Sequence, residues 1–106
     1  MIKVIIERRP SNNLCVEVNG LTRGQRMVVH QAAQEVRWRE WRTHTQTADL
    51  IAKAAEHEHV CIEIPHCMAE QNAEFVDAIL TAIRGFGCKI DSVDVMDECF
   101  EFGAVV

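Results

Sequence analysis

The segment Val36–Arg42, VRWREWR, sets two Trp among three Arg. Indole faces and guanidinium planes stack on unpaired bases, and the guanidinium fork pairs with phosphate oxygens. On a helix, Trp38 and Trp41 lie three apart on a common side, Arg39 and Arg42 do the same, and Arg37 flanks Trp41. Arg23 and Arg26 extend the set, so the stretch 22–44 holds five Arg against Glu35 and Glu40. The same letters suit a protein partner, because Trp and Arg are enriched at binding hot spots. They also suit a plain helix end whose Arg stems lie over Trp rings at the core edge.

Arg26 and His30 form an Arg-x-x-x-His pair on one helix face. The surrounding TRGQRMVVHQAAQ resembles the signature helix of the Arg-xxx-His class of single-stranded nucleic-acid-binding domains. The resemblance covers about thirteen residues and implies an oligonucleotide ligand for Arg26 and His30. Such domains continue into a Ser/Gly-containing loop and an Arg-bearing strand. Here WRTHTQTADLIAKAA follows instead, and VCIEI carries no Arg.

His57, His59, Cys61, His66 and Cys67 are residue types that bind zinc, but four of them cannot converge if the last two lie at the far end of a strand. No metal or cofactor is expected. Cys67 falls between a strand and a helix, where backbone amides lower a thiol pKa, yet a nucleophile also needs a base and an oxyanion site. The sequence has no HExxH, GxSxG or phosphate-cradling Gly loop, so no catalytic residue is assigned. The acidic end KIDSVDVMDECFE carries Asp91, Asp94, Asp97, Glu98 and Glu101. This is a solvated edge in the plain reading and an acidic docking surface in the sharper one.

The elements that must position these residues follow from periodicity. Ile2, Val4 and Ile6 alternate with Lys3, Ile5 and Glu7 as a strand, Pro10–Asn13 is a turn, and LCVEV is a second strand. Thr22 and Gln25 have capping-box spacing and open a helix running to about Trp41, with Val29, Ala33 and Val36 as its apolar stripe, broadened by Val28 and Ala32. The Thr-rich segment 42–47 reads as a connection, and Leu50, Ile51, Ala54 and Ala55 as a short helix ending near His57. VCIEI is a third strand. A helix over 68–84 then shows Val76, Ile79, Leu80 and Ile83 on one face, with Gly85 at its C-cap. Lys89–Met96 is a fourth strand and Cys99–Val105 a fifth.

The order β-β-α-α-β-α-β-β predicts an α+β two-layer sandwich: a mixed four- to five-stranded sheet with helices on one face, in a single domain over 1–106. Ordinary composition, no apolar run of membrane-spanning length and no signal-peptide pattern point to a cytoplasmic protein. Five widely spaced Cys without CxxC read as buried free thiols. Net charge is -5. It is divided unevenly: 1–44 has eight basic and four acidic side chains, 45–106 three basic and twelve acidic. Such polarity bears on association, including self-association into a homo-oligomer.

The expected function is a small non-enzymatic protein-binding module, a regulator or inhibitor of a larger complex. Its general look is that of small phage or mobile-element proteins that block host machinery. Its partner surface is expected at Arg37, Trp38, Arg39, Trp41 and Arg42 and at the acidic end. The alternative is a single-stranded RNA- or DNA-binding domain using Arg23, Arg26, His30 and the Arg/Trp segment.

Overall fold

Ile2, Val4 and Ile6 are buried and Lys3 between them is exposed, so the alternation of the first residues becomes strand β1 (Ile2–Arg8) with one face inward. The computed structural model of the chain describes residues 1–37, 44–87 and 89–96. A tight loop follows β1. Asn12 N–H donates to the Arg9 carbonyl (2.8 Å) and Arg9 N–H to the Asn13 carbonyl (2.9 Å). Pro10 supplies a fixed φ early in the turn, and Asn12 takes the left-handed conformation (φ 66°) that Asn tolerates better than most residues. The chain returns antiparallel as β2 (Leu14–Asn19).

Gly20 then turns the chain with φ +96°, and a Cβ there would run into the Met1 carbonyl. Helix α1 (Arg23–Arg37) opens on the expected capping box: Thr22 N–H donates to Gln25 Oε1 (2.9 Å) and Gln25 N–H to Thr22 Oγ1 (3.3 Å). Val29, Ala33 and Val36 are buried as expected. Val28 is 46% exposed and does not broaden the stripe, whereas His30 is buried with it. Residues 38–43, including the rest of the expected helix and Trp38 and Trp41, lie outside the described residues.

Helix α2 (His44–Ala54) starts inside the segment expected to be a connection. Thr is a weak helix former rather than a breaker, and packing outweighs that preference once Ile51 and Ala55 are buried. Leu50 is exposed because adjacent helical residues point about 100° apart, so Ile51 takes the inward direction and Leu50 cannot share it.

Strand β3 (Val60–Ile64) ends at Pro65. A 3-10 turn over His66–Gln71 precedes α3 (Asn72–Arg84), whose Phe75, Val76, Ile79, Leu80 and Ile83 are buried. Gly85 stands at the C-cap as expected, in the right-handed conformation (φ −62°). The helix tapers through Gly87 N–H to the Arg84 carbonyl (3.0 Å), and Gly87 carries the positive φ of 71°. β4 (Ile90–Val95) completes the sheet, and the expected fifth strand lies outside the described residues.

The sheet order is β3-β2-β1-β4, with β2 antiparallel to both neighbours and β1 parallel to β4. The two edge strands therefore run the same way, joined by the crossover through α3. Apolar rows from β1, β2 and β3 meet α1 and α3 in one core, each fully buried aliphatic residue being worth roughly 1.5–3 kcal/mol relative to exposure. The result is the expected α+β fold with helices on one side of a mixed sheet. No helix among the described residues is long and apolar enough to cross a membrane.

Gly20→Ala combines a left-handed backbone with a collision against the start of β1. It should cost at least about 2 kcal/mol, read as a lowered urea midpoint with an unchanged m-value.

Candidate functional site

The face of the sheet turned away from α1 and α3 carries the outward side chains of every strand: Lys3, Ile5 and Glu7 of β1, Cys15, Glu17 and Asn19 of β2, Cys61 and Glu63 of β3, and Ser92 and Asp94 of β4. Register sets them in rows. Glu7 faces Cys15 and Cys15 faces Glu63, while Asp94 faces Ile5, Ile5 faces Glu17 and Glu17 faces Cys61.

Arg9 lies across this face. The loop hydrogen bond that fixes its backbone leaves its side chain over β2, where Nη2 donates to Cys15 Sγ (3.2 Å) and to Cys61 Sγ (3.6 Å). Nη1 pairs with Glu7 Oε1 (3.1 Å), and Nε lies 3.5 Å from Glu63 Oε1. Glu63 Oε2 accepts from Asn13 Nδ2 (3.2 Å), and Asn13 Oδ1 accepts from the His66 N–H (3.0 Å), so the β1–β2 loop is tied to the end of β3. The two sulfurs are 3.4 Å apart. Beneath the guanidinium Cys15 has no exposed surface, although it sits on the outward side of the sheet, while Cys61 is exposed. Burial first, then the hydrogen bond with Cys61, pushes the Cys15 thiol up to about 12, and the Arg9 contact opposes that rise. The Arg9 guanidinium is held more firmly protonated by its hydrogen bond to Cys15. At one side of the cluster, His59 Nε2 lies 3.7 Å from Glu17 Oε1.

Chemically this is a thiol pair under a cation flanked by carboxylates. Among the described residues no three His, Cys, Asp or Glu side chains converge as a metal site. Cys67 is exposed in the 3-10 turn, five positions before α3 begins, and so is not in that helix's first turn. Of the three described cysteines only Cys15 is buried, against the expectation of buried thiols throughout.

The residues singled out from the sequence are dispersed. Arg23 is exposed at the start of α1. Arg26 is committed to structure: Nε donates to the Ala55 carbonyl (3.0 Å) and Nη1 to the Leu21 carbonyl (2.8 Å), pinning the end of α2 to the entry of α1. His30 is only 6% exposed, and burial first, then Arg26 and His57, holds its pKa below the ordinary 6.5. A face gripping nucleic acid, which the Arg-xxx-His resemblance implies, is not what this pair presents. Arg37 is half-buried at the end of α1. Asp91 Oδ2 accepts the Ile2 N–H (2.7 Å) and anchors the start of β1. Asp94 alone joins the outward face of the sheet. Trp38, Arg39, Trp41 and Arg42, and likewise Asp97, Glu98 and Glu101, lie outside the described residues.

Arg9 and Cys15 were not singled out from the sequence, and Cys61 was weighed only as a zinc-ligand type, though a signal joining the two Cys was present. LCVEV and VCIEI share one pattern, apolar-Cys-apolar-Glu-apolar. Antiparallel pairing of the two sets each Cys opposite a Glu and brings the two Cys together across the diagonal.

The buried His30 also generates a pH dependence. Well above pH 6.5 it is neutral in both folded and unfolded chains and contributes no slope. Below that value the unfolded chain takes up the proton first, so stability falls with pH until the folded-state pKa is passed. Urea midpoints measured from pH 7 to 5 should decline more steeply in the native protein than in His30→Gln.

No protein family, no curated protein and no solved structure is significantly similar to this chain.

Proposed function

We propose that the protein is a non-enzymatic protein-binding module, a regulator or inhibitor of a larger complex, that docks through the outward face of its sheet. The observation that carries this reading is the charge of that face. Glu7, Glu17, Glu63 and Asp94 stand against Lys3 and Arg9, with no described element packed over them. Glu7, Glu17 and Glu63 are only 31%, 30% and 39% exposed. Carboxylates in such partly desolvated positions attract a cationic group more strongly than fully hydrated ones. The occupant that fits is a protein segment presenting Lys or Arg side chains, steered by complementary potential.

The same observation weighs against oligonucleotide on this face. Sheet surfaces that bind RNA offer aromatic rings for stacking and basic side chains for phosphates, and none of the outward residues named here is aromatic. On α1, Arg26 spends its donors on backbone carbonyls and His30 is buried.

Tagged protein should retain a stoichiometric protein partner from extract of its host. Glu17→Arg with Asp94→Arg should weaken that capture at least about tenfold, as expected for losing close complementary charge pairs. Asp77→Arg on the exposed side of α3 should leave it unchanged. Capture indifferent to the double substitution would sink the surface assignment. Trp fluorescence quenched by an oligonucleotide, with binding that weakens steeply in salt, would favour the nucleic-acid reading instead.

A further inference from the structure

From the contact between Cys15 and Cys61 beneath Arg9, we infer that these two residues form a redox-active dithiol, oxidised by peroxide to a disulfide that staples β2 to β3. The inference goes beyond the docking reading and holds whether or not the sheet face receives a partner.

Three observations carry it. The sulfurs are 3.4 Å apart on neighbouring antiparallel strands, diagonal to one another because Cys15 faces Glu63 and Cys61 faces Glu17. A disulfide needs 2.03–2.05 Å, so the sulfurs have to approach by about 1.4 Å. The thiols are also differentiated: Cys61 is exposed and open to a small oxidant, whereas Cys15 is fully covered. That is the arrangement of an attacking and a resolving thiol. Finally, one guanidinium nitrogen donates to both sulfurs, at 3.2 and 3.6 Å, and at Cys15 this contact opposes the rise that burial causes. The same cation, together with the absence of a convergent third ligand among the described residues, opposes the other use of paired thiols, capture of a soft metal ion.

The chemistry balances with hydrogen peroxide as the oxidant. The Cys61 thiolate attacks one peroxide oxygen, the O–O bond breaks, and the departing hydroxide takes up the thiol's proton to leave as water. Cys61 becomes a sulfenic acid. The Cys15 thiolate then attacks the Cys61 sulfur, the S–S bond forms, and the sulfenic oxygen leaves as a second water carrying the Cys15 proton. The two thiols lose two electrons and two protons in all. Because burial raises the Cys15 thiol to about 12, ring closure accelerates as pH rises. The disulfide closes a loop that contains α1 and α2.

The test uses the full chain carrying Cys67→Ser, so that the tryptic peptide 54–84 contains Cys61 alone, while Cys15 lies in peptide 9–23. After treatment with hydrogen peroxide, non-reducing mass spectrometry should show these two peptides joined with the loss of two hydrogens, and dithiothreitol should separate them. The oxidised protein should melt higher by on the order of 10 °C. Cys15→Ser should abolish the link and leave a Cys61 sulfenic acid that dimedone traps. Arg9→Gln should slow closure about tenfold, as expected for losing one charge-assisted contact. Cys61 oxidised without joining Cys15, or joined instead to Cys88, Cys99 or a second chain, would overturn the inference. Closure at an unchanged rate in Arg9→Gln would remove the role given to Arg9.

Discussion

The outward face depends on the register in which β2 meets β3. Val16 faces Ile62, and on either side of that pair each Cys faces a Glu. A slip of one residue would turn Leu14, Val16 and Val18 outward and drive Glu17 beneath the helices. The buried row of β2 makes that slip prohibitive, since these three apolar residues have no exposed surface and each contributes roughly 1.5–3 kcal/mol by burial. The positions of Cys15, Glu17, Cys61 and Glu63 on the other side are thus fixed by residues they do not touch. A core built for packing has placed a polar and thiol-bearing surface as its geometric complement.

Arg9 then decides the character of that surface. A strand residue on an uncovered face is ordinarily half exposed, as Glu17 and Glu63 are, but Cys15 is not exposed at all. The covering group is a long, flexible cation rather than a packed layer. It is held at its root by the turn through Pro10 and Asn12 and at its tip by two sulfurs and a carboxylate. Nothing comparable restrains Cys67, which stands exposed in the 3-10 turn.

The helical layer uses its basic residues otherwise. Arg26 ties together the start of α1 and the end of α2, and the adjoining His30 has its pKa lowered by burial first, then by Arg26 and His57. The charge asymmetry along the chain does not map directly onto the surface. Glu7 and Glu17 come from the net basic part of the sequence, Glu63 and Asp94 from the acidic part, and the sheet assembles all four on one side.

Much of the architecture was legible in the residues themselves. The alternation of Ile2, Val4 and Ile6, the reciprocal Thr22–Gln25 cap and the stripe Val76–Ile79–Leu80–Ile83 each specify a local structure whose period or hydrogen bonding needs no distant partner. Local signals misplaced the start of α2 and the exposure of Leu50, because packing decides those points. The sequence by itself determined which residues form strands and helices and which side of each is apolar, since both follow from side-chain spacing along one chain. Only the tertiary structure decided that LCVEV and VCIEI lie side by side, that Arg9 folds over them, and that Arg26 and His30 turn inward. Strand pairing and burial are set by the free energy of the whole assembly, and neither is encoded in a segment short enough to read alone.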